Sequence, residues 1–154
     1  MTHKTIGSFI PSISNNTAKN SASPPLMATR VAAGFPSPAE QYAEEPLDLN
    51  ELMVRNPPAT FFVRVSGDSM EGVGIYEDDI LVVDRSQNAV DGSIVIACVD
   101  GDFTVKRLHN GDGKISLVAE NPKYKPIVFS GETECRIFGV VTGLLRQFKR
   151  AKNQ

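Results

Sequence analysis

The chain has 154 residues, 41% of them hydrophobic and 22% charged, which suits one modest globular domain with a tail. Its two cysteines, Cys98 and Cys135, form neither a disulfide framework nor a metal-ligand spacing, and both lie in apolar runs. They read as reduced core residues of a cytoplasmic protein.

The net charge of −2 hides an asymmetry. Residues 1–39 hold Lys4, Lys19 and Arg30 and no acid, which leaves 13 basic against 18 acidic residues downstream. A basic arm can be drawn weakly to its own acidic body, or simply be solvated. The acidic body is not the footprint of a nucleic-acid-binding surface, so no direct sequence-specific DNA binding is expected. No apolar run approaches the roughly 20 residues of a membrane span, and no membrane association is expected. The opening MTHKTIGSFIPSIS lacks the apolar stretch of a secretory signal, and Pro11, Pro24 and Pro25 spoil an amphipathic transit helix.

Along the chain, residues 12–25 (SISNNTAKNSASPP) carry one strong hydrophobe, Ile13, and cannot offset their ordering entropy. The sequence therefore predicts a flexible stretch over 1–26. Val31–Ala32–Ala33–Gly34 is small and apolar, and Phe35-Pro36-Ser37-Pro38 is stiff and extended; the pair suits a strand laid on another surface. A short helix is predicted near 48–55, started by Asp48 with Glu51 three residues on and stopped by Asn56-Pro57-Pro58. From Thr60 the pattern turns to β: 60–65, 80–83, 93–99, 103–109, 115–119, 126–129 and 135–145. Asp100-Gly101 marks a hairpin and Asn110-Gly111-Asp112-Gly113 another turn. The expected fold is mainly β, a compact twisted β-sheet domain, partly barrel-like, with a flexible N-terminal arm.

Two residues stand out for chemistry. Ser69, in VSGDSMEG, follows a strand and a glycine turn, which can expose a hydroxyl beside backbone N–H donors. The same position is also ordinary turn chemistry, since a serine after Gly-Asp often caps a short helix. A nucleophilic serine needs a base, and the two histidines, His3 and His109, have no supporting triad partners. Lys106 lies in Phe103-Thr-Val-Lys-Arg-Leu, where Thr104, Lys106 and Leu108 share one face. Facing with Leu108, it is either a desolvated base or a solvent-facing hairpin lysine. Acting near neutral pH means a fall from an ordinary pKa of about 10.4 that costs about 4 kcal/mol, which burial of an ammonium can supply. The acids Glu77, Asp78 and Asp79 read as a solvated turn rather than a metal site.

The series VSGDSM, GIYEDDILVVDR, GSIVIACVDGDFTVKRL, AENPKYKPI and IFGVV resembles the catalytic core of the LexA/UmuD family of self-cleaving Ser–Lys peptidases. The separation of Ser69 and Lys106, 106 − 69 = 37, matches that family's spacing. Within it, AGFPSPAEQY, LDLNEL and PPATFFVRVSGDSM are most similar to UmuD-like members. One departure is Glu77-Asp78-Asp79, where relatives carry Asp-Gly-Asp; Asp tolerates the left-handed turn, so the turn is expected to survive.

The resemblance implies catalytic residues Ser69 and Lys106, an oxyanion hole from the backbone of Asp68 and Ser69, and cleavage at Ala33–Gly34. It divides the chain into an arm, 1–33, removed by self-cleavage, and a peptidase and dimerisation domain, 34–154. It implies no cofactor and no metal. The implied partners are a second copy of the chain, a RecA filament on single-stranded DNA that stimulates cleavage, and a Y-family DNA polymerase subunit that the shortened homodimer serves in translesion synthesis. A LexA-like repressor with the same core is disfavoured, because the residues before the cleavage segment suit no helix-turn-helix. A membrane signal peptidase shares the Ser–Lys chemistry but needs an anchoring segment. A non-catalytic dimeric binding module stays open.

Overall fold

The computed structural model describes residues 23–28, 30–36 and 44–149. The chain divides into two compact units, Met1–Leu47 and Asp48–Gln154. In the first, β1 (Pro25–Met27) pairs antiparallel with β2 (Glu44–Pro46), Pro25 opposite Pro46. Proline offers no N–H, so the ribbon stays short; Leu47 N–H closes it on the Pro24 carbonyl at 2.9 Å. The sequence reading placed no strand at either position. Residues 33–35 form an exposed bend, not the extended strand suggested by the small apolar run. The expected flexible stretch up to residue 22 lies outside the described residues.

The second unit begins with helix α1 (Leu49–Met53), where the Asp48 carboxylate accepts the N–H of Asn50 at 2.8 Å and of Glu51 at 3.4 Å. This is the expected cap, on a helix shorter than 48–55. There follow β3 (Thr60–Arg64), β4 (Ile80–Asp84), β5 (Ile94–Val99), β6 (Asp102–Gly111), β7 (Lys114–Val118), β8 (Ile127–Val128) and β9 (Cys135–Leu145). All seven join one antiparallel sheet in the order β3-β4-β9-β5-β6-β7-β8. The fold is mainly β, as expected. The sheet does not close on itself; β3 and β8 are its two edges.

Strand β5 explains why IVIACV is a continuous apolar run rather than an alternating one. Ile96 enters a cluster with Val65, Met70, Ile75, Leu81 and Val83, while Val95 and Ala97 enter a second with Leu108 and Leu117. A strand buried on both faces has no polar side to show. At the β5–β6 turn Asp100 and Gly101 both take positive φ, 48° and 89°, as a tight two-residue hairpin requires. Asp112 and Gly113 repeat the device between β6 and β7 at 51° and 73°. Cys98 and Cys135 are free, as expected, and half-buried; Cys135 packs against the second cluster, whereas Cys98 joins neither, a correction to its expected place in the core. Cys98 lies opposite Arg136 and Cys135 opposite Val99, so their side chains take opposite faces of the sheet.

The turn before β4 survives the loss of glycine, with Asp78 at φ 69°. Its neighbour corrects the expectation of a solvated acidic turn. Asp79 is 1% exposed, and its carboxylate accepts Arg146 Nε at 2.6 Å and Tyr76 N–H at 2.8 Å. The hydrogen bonds from Arg146 hold the Asp79 carboxyl below its ordinary value of 3.8 against the opposing effect of burial. The stability this pair contributes is fully present above that value and is lost as pH falls through the lower folded one. Asp79→Ala is expected to cost about 2 kcal/mol, read as a lower urea midpoint at unchanged slope, with the deficit shrinking below pH 4.

Candidate active site

Ser69 sits where β3 gives way to a short 3-10 turn, Glu71–Val73. Gly67, at φ 91°, reverses the chain ahead of it. Met70, 1% exposed, then drives into the core beside Val65 and Ile75. The serine is thus held half-exposed next to one of the most deeply buried side chains of the domain. Its partner comes from the sheet. Lys106 of β6 lies opposite Val95 of the doubly buried β5 and is only 7% exposed.

Lys106 Nζ lies 3.0 Å from Ser69 Oγ, 2.7 Å from Thr104 Oγ1 and 3.0 Å from the Val105 carbonyl oxygen. An ammonium donates to all three. On losing one proton, it keeps two N–H donors for Thr104 Oγ1 and Val105 O, and its lone pair faces Ser69 Oγ. No atom has to move for Lys106 to become a base; the Ser69 hydroxyl only turns its hydrogen toward Nζ. Burial alone pushes the Lys106 pKa below its ordinary 10.5. The alternation read from the sequence holds, since Thr104 and Lys106 meet on one face. That contact gives Thr104 the task of orienting Nζ.

A third element completes the site. The loop between β7 and β8 sends Asn121 Nδ2 to the Asp68 carbonyl at 2.9 Å and the Tyr124 hydroxyl to the Asp68 carboxylate. Lys123 Nζ lies 3.7 Å from the same carboxylate. The Tyr124 hydrogen bond, with the Lys123 charge behind it, holds the Asp68 carboxyl below its ordinary value. The Tyr124 ring centroid is 5.9 Å from Lys106 Nζ. Glu120, paired with Arg107 of β6, accepts the Gly72 N–H on its carbonyl at 2.8 Å. A Cβ on Gly72 would stand 2.5 Å from that carbonyl oxygen, so the docking of loop on turn needs glycine there.

Beside Ser69 opens a cleft of about 220 Å³, walled by Val63, Val65, Leu81, Ile96 and Val105. The structure brings Ser69, Lys106 and Asp68 together; Ala33 and Gly34 belong to the first unit. Sequence reasoning missed Asn121 and Tyr124, although both lie in AENPKYKPI, one of the segments that carried the resemblance. Among the described residues, no helix is long and apolar enough to cross a membrane.

The site thus sets a serine hydroxyl against a buried lysine amine on a mainly β scaffold. Residues 25–142 match the family model Peptidase S24-like, and the chain belongs to that family as a UmuD-like member. It is 49% identical over 123 residues to protein SamA of Salmonella typhimurium, covering 80% of this chain and 85% of SamA. It is 45% identical over 129 residues to protein ImpA of Escherichia coli, covering 83% and 87% of the two chains. Against the LexA repressor of Shewanella piezotolerans it is 42% identical over 118 residues, covering 76% of this chain and 57% of the repressor.

Proposed function

We propose that this chain is a DNA-damage (SOS) response protein that cuts its own backbone between Ala33 and Gly34. The observation that carries the reading is the 3.0 Å contact between Lys106 Nζ and Ser69 Oγ at the mouth of an apolar cleft. Neutral Lys106 takes the Ser69 proton as Oγ bonds to the Ala33 carbonyl carbon. The N–H groups of Asp68 and Ser69, which make none of the turn's backbone hydrogen bonds, receive the oxyanion. The bond to Gly34 nitrogen then breaks, Lys106 returns its proton to that amine, and water enters by the reverse path to release Ala33 as a carboxylate.

Two free strand edges support a peptide substrate. Among the described residues, strand β3 pairs only with β4, and β7 pairs with β6 only from Arg107 onward. The Val63–Arg64 edge and the Phe103–Val105 edge both line the cleft, so an extended chain can hydrogen-bond to backbone there. Tethering raises the local concentration of the arm. In this reading the protein acts in the cytoplasm, a RecA filament on single-stranded DNA promotes cleavage, and the shortened homodimer serves a Y-family polymerase in translesion synthesis.

The test is intact mass after incubation with RecA, single-stranded DNA and nucleotide. The expected product begins at Gly34 and has 154 − 33 = 121 residues. Gly34→Trp is expected to slow its appearance at least about 100-fold, because the cleft, not the arm, rejects the side chain. A Cβ at Gly34 meets nothing within 4 Å, so the substitution strains no local structure. An unchanged product mass at an unchanged rate would move the cut elsewhere.

A further inference from the structure

One of the two proposed oxyanion donors, the Ser69 N–H, depends on a single peptide plane. In the trans peptide that joins Asp68 to Ser69, the Asp68 carbonyl and the Ser69 N–H point in opposite directions. Whatever fixes the carbonyl therefore aims the N–H. Asn121 Nδ2 donates to that carbonyl at 2.9 Å. The Asn121 amide cannot be turned over, because its Oδ1 accepts the Lys123 N–H at 3.1 Å, so a flip would set acceptor against acceptor and donor against donor. A hydrogen bond at one end of a peptide also polarises the other, making the Ser69 N–H a stronger donor.

The same loop grips the turn on both sides of the serine. Ahead of it, Tyr124 and Lys123 hold the Asp68 carboxylate. Behind it, the Glu120 carbonyl holds the Gly72 N–H at 2.8 Å. Of the loop residues, Asn121 is the one that addresses the Asp68–Ser69 peptide. Asp68 O has one other donor, the Glu71 N–H at 3.3 Å, which is long for a hydrogen bond that must fix a plane.

We infer that Asn121 is a positioning residue of the peptidase reaction, which aims the Ser69 N–H at the oxyanion by holding the Asp68 carbonyl from behind. The inference rests on the Ser69–Lys106 reading above and deepens it. Asn121 acts through the peptide and does not touch Lys106, whose polar neighbours are Ser69, Thr104 and the Val105 carbonyl. Around it, Tyr124 presents its ring, and the nearby charges of Asp68, Glu71 and Lys123 bear on Tyr124 or on each other; desolvation alone shifts the lysine.

The informative variant is Asn121→Asp in the full chain. A carboxylate still accepts the Lys123 N–H and keeps the loop turn, but it has no N–H for Asp68. First-order self-cleavage is followed from pH 7 to 10, alongside labelling of Ser69 by a fluorophosphonate, whose tetrahedral adduct places an oxygen in the same hole. The expected result is at least a tenfold fall in both rates, with the melting temperature as in the wild type; the added carboxylate shifts the lysine by its own charge, so the inflection is read in Asn121→Ala, where it stays at the wild-type pH. Asn121→Ala, which adds no charge, should fall by a similar factor. Wild-type rates in Asn121→Asp would overturn the inference, and so would a fall in Asn121→Ala that came with a displaced inflection, since that would place the effect on the lysine. Ser69→Ala as control keeps the two levels apart: cleavage persisting there sinks the Ser–Lys reading itself, whereas cleavage lost there but untouched in Asn121→Asp sinks only this one.

Discussion

Replacing Ser69 with alanine is expected to abolish self-cleavage while leaving the fold in place. The cleft also carries Ser66, but of these two serines only Ser69 touches Lys106 Nζ. Loss of a nucleophile in a serine peptidase lowers the rate by about a millionfold, which over any practical incubation means no product. The folding cost is small. Ser69 is half-exposed and its hydroxyl bonds only to Lys106, a contact worth about 1 kcal/mol. The turn itself is anchored by Met70, not by the serine. Intact mass and a melting curve on the same sample check both halves. Shortening that continues in purified Ser69→Ala protein would rule out the serine.

The second large effect is on pH. The proposed reaction needs neutral Lys106, and burial has moved its pKa below 10.5. Beneath the folded value, the neutral fraction and hence the rate rise about tenfold per pH unit; above it the rate levels off. The plateau should therefore arrive before the ordinary lysine value is reached. The same shift has a sign for stability. A lysine whose folded pKa is lowered binds fewer protons folded than unfolded, so stability rises with pH between the folded value and 10.5. Alkaline conditions should thus speed cleavage without loosening the domain around the site. A rate that shows no rise with pH anywhere between pH 5 and 10.5 would exclude Lys106 as the base.

How much of this could be read beforehand depended on distance along the chain. The strands from Thr60 onward, the Asp48 cap and the Asp100-Gly101 hairpin are written in short windows, and they stand within a residue or two of where the periodicity put them. Ser69 and Lys106 are 37 residues apart, and only the familiar spacing joined them. Asn121 and Tyr124 meet Asp68 across 53 and 56 residues with side chains that are unremarkable in a polar loop. Their roles exist only once β6 and β7 have carried the chain back. Asp79 was misread for the same reason. Its partner Arg146 is 67 residues away, and three adjacent acids look solvated until a guanidinium arrives. The β1–β2 ribbon was hidden by its own prolines, which argue locally against pairing.

The burial of Met70 beside the nucleophile has a further consequence, for how cleavage can be governed. A turn rooted in the core cannot swing out by local fraying; freeing it would mean opening the cluster of Val65, Ile75, Leu81 and Ile96 as well. The amide hydrogens bonded to the Met70 carbonyl, those of Val73 and Ile75, should therefore exchange with solvent only at the pace of whole-domain unfolding. In the proposed reaction an assembled pair leaves an activator little to build, and restraint falls to two things: the proton on Lys106 and how often the arm presents its bond.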